Sequence, residues 1–164
     1  MRILPLVLSL AVFFVPVSVL ASDLADLMPA TIGAMQRIQL VTGAAAQAEV
    51  DALHGKSLPA KASVVARYLR PGASDERPAE VWVSRVSSKT EARRQTGEMV
   101  HKMFENPRSP FKNPRRVDHS GRAVYRFEGM GQAHLIWSAG DLVYWVSVAP
   151  GREGAMLEVL CTSN

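Results

Sequence analysis

Residues 123–148 read AVYRFEGMGQAHLIWSAGDLVYWVSV. Three runs, Ala123 to Glu128, Ala133 to Ser138 and Leu142 to Val148, are rich in β-branched and aromatic residues. They are divided by Gly129-Met130-Gly131-Gln132 and Ala139-Gly140-Asp141. Short strand-forming runs separated by glycine turns predict an antiparallel meander. The last run, LVYWVSV, is apolar at positions of both parities, which places it in the interior of the sheet.

Working outward from the meander, Glu153 to Cys161 reads as a short closing helix, and the segments upstream supply the rest of a domain. Met35 to Val41 alternates weakly as a strand, and Thr42-Gly43 then introduces AAAQAEVDALHG, a helical composition. Thr42 is placed to cap the start of that helix and Gly55 to end it in a left-handed conformation. Ser63 to Arg70 and Glu80 to Val86 form a predicted hairpin around the polar turn Pro71 to Glu76. Ser88-Lys89-Thr90-Glu91 is a capping box, in which the Ser88 hydroxyl accepts from the Glu91 amide and the Glu91 side chain reaches back. Ala92, Thr96, Met99, Val100, Met103 and Phe104 then recur at helical spacing and define one apolar face.

The predicted fold is therefore α+β: a mostly antiparallel sheet of five or six strands, with two or three helices packed on one face, in the order β-α-β-β-α-β-β-β-α. Residues 22–164 make a single domain.

Residues 1–21, MRILPLVLSLAVFFVPVSVLA, carry Arg2, an apolar run and the small-residue pattern Val19-Leu20-Ala21. These are the parts of a signal peptide cleaved before Ser22, so a periplasmic or secreted location is expected. A membrane anchor is the rival reading. Pro5 and Pro16 interrupt the run, and no basic cluster follows it as a stop-transfer signal. No cysteine stands at the cleavage point for lipidation. The expectation is a soluble domain with no stable anchor after cleavage.

The chain is 48% hydrophobic and 21% charged, a composition that can build a core. Its formal net charge of +4 is too mild to imply nucleic acid. Cys161 is the single cysteine, so an internal disulfide is impossible. It is read as a small apolar residue closing the last helix; a disulfide between chains is the sharper alternative.

Between Asn106 and Arg116, Pro107, Pro110 and Pro114 interrupt any apolar period, which predicts a surface loop. That loop carries Arg108, Lys112, Arg115 and Arg116, followed by Arg122, with Phe111 among them and only Asp118 opposing. Such a cluster is either a solvated basic loop or a site for an anionic partner. The leading expectation is a non-enzymatic binding or accessory protein whose partner is a protein or an anionic envelope component.

A second expectation is a metal or haem binding protein using His134 and Met130 with His101 or His119, since imidazole and thioether suit soft ions. Met99, His101 and Met103 cannot converge from one helix, because His101 points about 200° away from Met99. His134 in a strand has the plainer reading of a hydrogen-bonded structural residue. No P-loop, GxSxG, CxxC or HExxH motif occurs. An enzyme would have to assemble its groups from distant segments, and that alternative stays open.

Overall fold

The computed structural model describes residues 24–162, so the leader expected at residues 1–21 lies outside the described part. Among the described residues no helix is long and apolar enough to cross a membrane. Among the described residues eight strands, rather than the five or six expected, form one antiparallel sheet: β1 (Thr31–Ile32), β2 (Met35–Thr42), β3 (Ala62–Leu69), β4 (Ala79–Arg85), β5 (Lys112–His119), β6 (Arg122–Gly129), β7 (Gln132–Ala139) and β8 (Leu142–Val148). Their order across the sheet is β1-β2-β3-β4-β8-β7-β6-β5. Among the described residues the full helices are α1 (Gly43–His54), α2 (Lys89–Glu105) and α3 (Glu153–Leu160), preceded by a helical turn at residues 24–26.

The meander is present, and β8 is interior as expected, between β4 and β7. It has four strands rather than three, because the segment read as a proline-rich loop forms β5. Prolines at residues 107 and 110 precede that strand, and Pro114 falls where the β5–β6 register shifts between Lys112 and Arg115. A bulge on an edge strand tolerates proline, since the missing N–H faces no ladder partner there. The β5–β6 and β6–β7 turns each place two successive residues at positive φ: Ser120 with Gly121, and Met130 with Gly131. That is the conformation whose twist matches paired strands.

The helices are not confined to one face, which corrects the two-layer expectation. The row Val65, Trp82, Trp145, Ile136 and Tyr125 lies on the α1–α2 side. The neighbouring row Val64, Val83, Tyr144 and Trp137 points the other way, into the main core with Leu24, Met28, Met156 and Leu160. A strand such as QAHLIWSA, buried on both faces over its first six residues, requires cover on both sides. The turn at residues 24–26 and α3 provide the second layer. Arg126 ties α3 to the sheet through Glu153 at 2.9 Å, while Glu128 holds the same guanidinium at 2.7 Å.

Capping follows the sequence only in part. Gly55 ends α1 at φ 65, and the Ser88 hydroxyl accepts from the Glu91 N–H at 3.1 Å. Thr42 occupies the N-cap of α1 without a side-chain cap bond, and Glu91 turns to Arg94 and Gln95 instead of back toward Ser88. An arginine one turn on offers a charge-assisted bond stronger than an amide. Cys161 follows α3 fully buried against the main core, and burial pushes its thiol pKa up. A buried sulfur of this kind packs as a small apolar residue.

The approach to β5 is set by Gly129. A Cβ built there would stand 2.7 Å from the Pro110 carbonyl oxygen and 3.1 Å from the Phe111 ring. Gly129→Ala is expected to cost about 1–3 kcal/mol, as overpacking does, and to lift Phe111 off the sheet. Urea denaturation compared with the unaltered protein measures it.

Candidate functional site

Strand β5 forms one edge of the sheet, and its residues Lys112 to Asp118 are all exposed. The other edge, β1, is only two residues long. Strand alternation sends successive side chains to opposite faces, so Arg115 and Arg116 diverge. Arg116 stands opposite Tyr125 on the α2 side, with Asp118 at 3.0 Å; Arg115 stands opposite Arg126 on the α3 side. Arg122 begins β6 and donates to the Thr162 carbonyl. Lys112 opens β5, while Arg108 is exposed in the preceding loop. Four of the five expected cations thus share one hairpin, distributed over both faces of the sheet.

Tertiary structure adds two cations that sequence reading missed. Lys89 and Arg93 recur at i and i+4 on α2 and line a groove of about 630 Å³ between that helix and the β5–β6 and β7–β8 turns. Arg122, Thr96, Tyr125 and Ser138 complete much of the wall, and among the described residues no carboxylate lines it. The sequence KTEARRQTGE looks balanced because Glu91 and Glu98 flank the arginines. In the fold Arg94 takes both carboxylates, leaving Lys89 and Arg93 without an acidic partner among the described residues. Thr96 is buried there with its hydroxyl unpaired among the described residues. Further along α2 the same side turns apolar: Val100, Phe104, Pro114 and Phe127 line a shallow cleft of about 180 Å³ beside Arg116. Phe104, expected in the core, is 66% exposed at its margin. The reason is that α2 packs over β7 and β8 and leaves β5 bare.

His134 lies deeper, only 1% exposed, on the α1–α2 side of β7. Its Nε2 is 2.9 Å from the Gly129 carbonyl oxygen, which can only accept, so Nε2 carries the proton. Nδ1 then accepts from the Ser147 hydroxyl at 2.9 Å, while the Trp145 indole N–H donates to Ser147 Oγ at 3.1 Å. Phe111 closes the cluster edge-on to His134, with ring centroids 4.8 Å apart. Burial lowers the His134 pKa, opposed by the Gly129 carbonyl and reinforced by Arg77. Both ring nitrogens are engaged, an arrangement that fixes a strand and leaves no lone pair for a ligand.

The four residues expected to share a metal site are dispersed. Met130 sits at the β6–β7 turn, 52% exposed. His119 is at the opposite end of β6, facing Arg122 across the β5–β6 turn. His101 is exposed on α2 and bonded to Glu105 at 2.9 Å. Among the described residues no group of three or more His, Cys, Asp or Glu side chains is placed to hold a metal ion.

Comparison of the chain with protein-family models, with curated proteins and with solved structures gives no match in any of the three.

Proposed function

We propose that this chain is an exported binding domain that captures an acidic, extended protein segment along its cationic sheet edge. The observation that carries the reading is the stretch Arg115 to His119. It is regular, exposed up to Asp118 and, among the described residues, paired with β6 alone, at the outer limit of the sheet. An edge of this kind offers main-chain donors and acceptors for an added strand, and alternate side chains select the partner. Here those side chains are Arg115 and Arg116, followed by Val117 and by Asp118, which pairs with Arg116, and Lys112 and Arg122 extend the positive field at either end. The bulge at Lys112–Arg115 with Pro114 limits the added strand to the residues beyond it, which discourages indiscriminate edge-to-edge pairing. Export is taken from the leader-like residues 1–21.

Charge reversal tests the reading. With an Asp- and Glu-rich extended peptide as probe, Arg115→Glu with Arg116→Glu is expected to weaken binding about tenfold or more at low salt, and added salt to weaken the unaltered protein. Unchanged peptide affinity in the double variant overturns it. Charge-dependent binding to anionic-lipid vesicles without binding to the peptide would assign the edge to a membrane surface instead.

A further inference from the structure

We infer that the groove between α2 and the β5–β6 and β7–β8 turns is a binding site for a small, soluble phosphate monoester, with Lys89 and Arg93 holding the phosphate. The site lies on the face of the sheet that α2 covers and does not depend on capture of a strand at the β5 edge. Lys89, Arg93 and Gly97 recur at every fourth residue of α2, so the two cations stand one turn apart on one wall. Across from them are Tyr125 of β6 and Ser138 of β7, the latter paired with the Val143 that packs under α2. The Arg122 guanidinium is committed elsewhere, donating to the Thr162 carbonyl beyond α3.

Two observations beyond the cations mark the groove as built for an occupant. The first is a set of unspent donors: the side chains of Lys89, Arg93, Thr96, Tyr125 and Ser138 all line the groove, and none has a hydrogen-bond partner among the described residues. Thr96 is only 5% exposed, and buried polar atoms are ordinarily paired. Threonine in a helix has two accessible χ1 rotamers, so this hydroxyl can turn from beneath the wall toward an acceptor in the groove. The second observation is Gly97. Glycine in the middle of a helix weakens it, yet a Cβ built at Gly97 meets nothing within 4 Å. Packing within the domain therefore does not require this glycine, and the space above it belongs to the groove.

Charge and donor count select the ligand. The acidic residue nearest in the chain to this wall of turns, Asp141, faces Arg85 at 3.7 Å and is not part of the lining. A phosphate monoester carries a charge of about −1.5 to −2 at neutral pH and three strong acceptor oxygens. Two cations balance that charge. The Arg93 guanidinium can hold two oxygens side by side, the Lys89 ammonium acts as a point charge, and a hydroxyl can donate to the third oxygen. A carboxylate, with one charge and two oxygens, would leave part of this set unused. The groove of about 630 Å³ falls within the span of about 300–1,000 Å³ typical of small-molecule sites, so it has room for an organic body beside the phosphate. Tyr125 and Ser138 offer hydroxyls to that body, which suits a sugar or polyol better than an apolar tail.

Titration of the purified protein with glucose-6-phosphate, followed by calorimetry and by amide resonances, tests the site. The Gly97, Gly121 and Gly140 amides, which border the groove, are expected to shift together. Lys89→Gln and Arg93→Gln are each expected to lower the affinity about tenfold, the usual cost of losing a hydrogen bond to a charged group. Gly97→Leu fills the groove and is expected to lower it at least as far while leaving α2 intact, since leucine favours a helix more than glycine does. Lys61→Gln, an exposed cation elsewhere, leaves the affinity unchanged. Circular dichroism confirms the fold of each variant. No shift at the three glycines, or full affinity in Arg93→Gln and Gly97→Leu, overturns the site. Equal affinity for inorganic phosphate and the ester reduces it to an adventitious ion only. Binding to phosphatidic acid vesicles without binding to glucose-6-phosphate overturns the soluble ligand and places the same phosphate on a lipid.

Discussion

Trp137→Ala is expected to destabilise the domain by about 4 kcal/mol, the range found when a buried aromatic is truncated and its cavity persists. Trp137 is fully buried in the main core and stacks on Tyr144 of the adjacent strand, with centroids 4.7 Å apart and planes 7° from parallel. The two residues are directly paired in register, so truncation removes one half of a cross-strand pair at the centre of the sheet. Burial also pushes the Tyr144 phenol up to about 12, a sign of how apolar this region is. The Trp137 indole N–H has no hydrogen-bond partner among the described residues. Trp137→Phe, which keeps an aromatic ring and removes that orphaned donor, is therefore expected to recover most of the loss. Denaturant midpoints at unchanged slope measure both. Equal destabilisation by the two substitutions would assign the effect to the indole itself rather than to aromatic volume and stacking.

His134 governs the second large effect, a loss of stability on mild acidification. Its folded-state pKa lies below the ordinary 6.5 because burial disfavours the imidazolium. Unfolding therefore takes up a proton once the pH falls below about 6.5, and stability, fully present above that value, declines toward the depressed folded pKa. The slope contributed by one such group approaches about 1.4 kcal/mol per pH unit. Carboxylates do not mimic this window. Glu76, for example, is held near 2 by Arg70 and Arg152 and titrates far below it. His134→Leu is expected to remove this component of the pH dependence. It should also cost about 3 kcal/mol at neutral pH, since the Gly129 carbonyl and the Ser147 hydroxyl lose their partner. Unfolding curves at pH 7 and pH 5 for both proteins give the comparison. An identical pH response in the variant would show that the acid sensitivity belongs to other groups.

Much of the fold was legible because it rests on local signals. β-branched runs with glycine turns located β6, β7 and β8, and the Ser88 cap with its helical apolar period located α2. β5 was not legible. Its charge and prolines are what an edge strand tolerates when its outer side faces solvent, and they read identically to a loop. The second helical layer was implied by a β8 apolar at both parities, yet which helix would cover which face depends on the crossovers between strands.

The candidate sites divide in the same way. Five cations were visible as a cluster in the chain, because they are close in sequence. Lys89 and Arg93 were hidden by glutamates that only the fold assigns to Arg94. By itself the sequence determined most of the segments that become strands and helices, β1 and β5 apart, since local hydrophobic period and turn chemistry act over a few residues. Tertiary structure decided which strand would be the open edge and which side chains would meet, because those depend on strand order and on packing between distant segments.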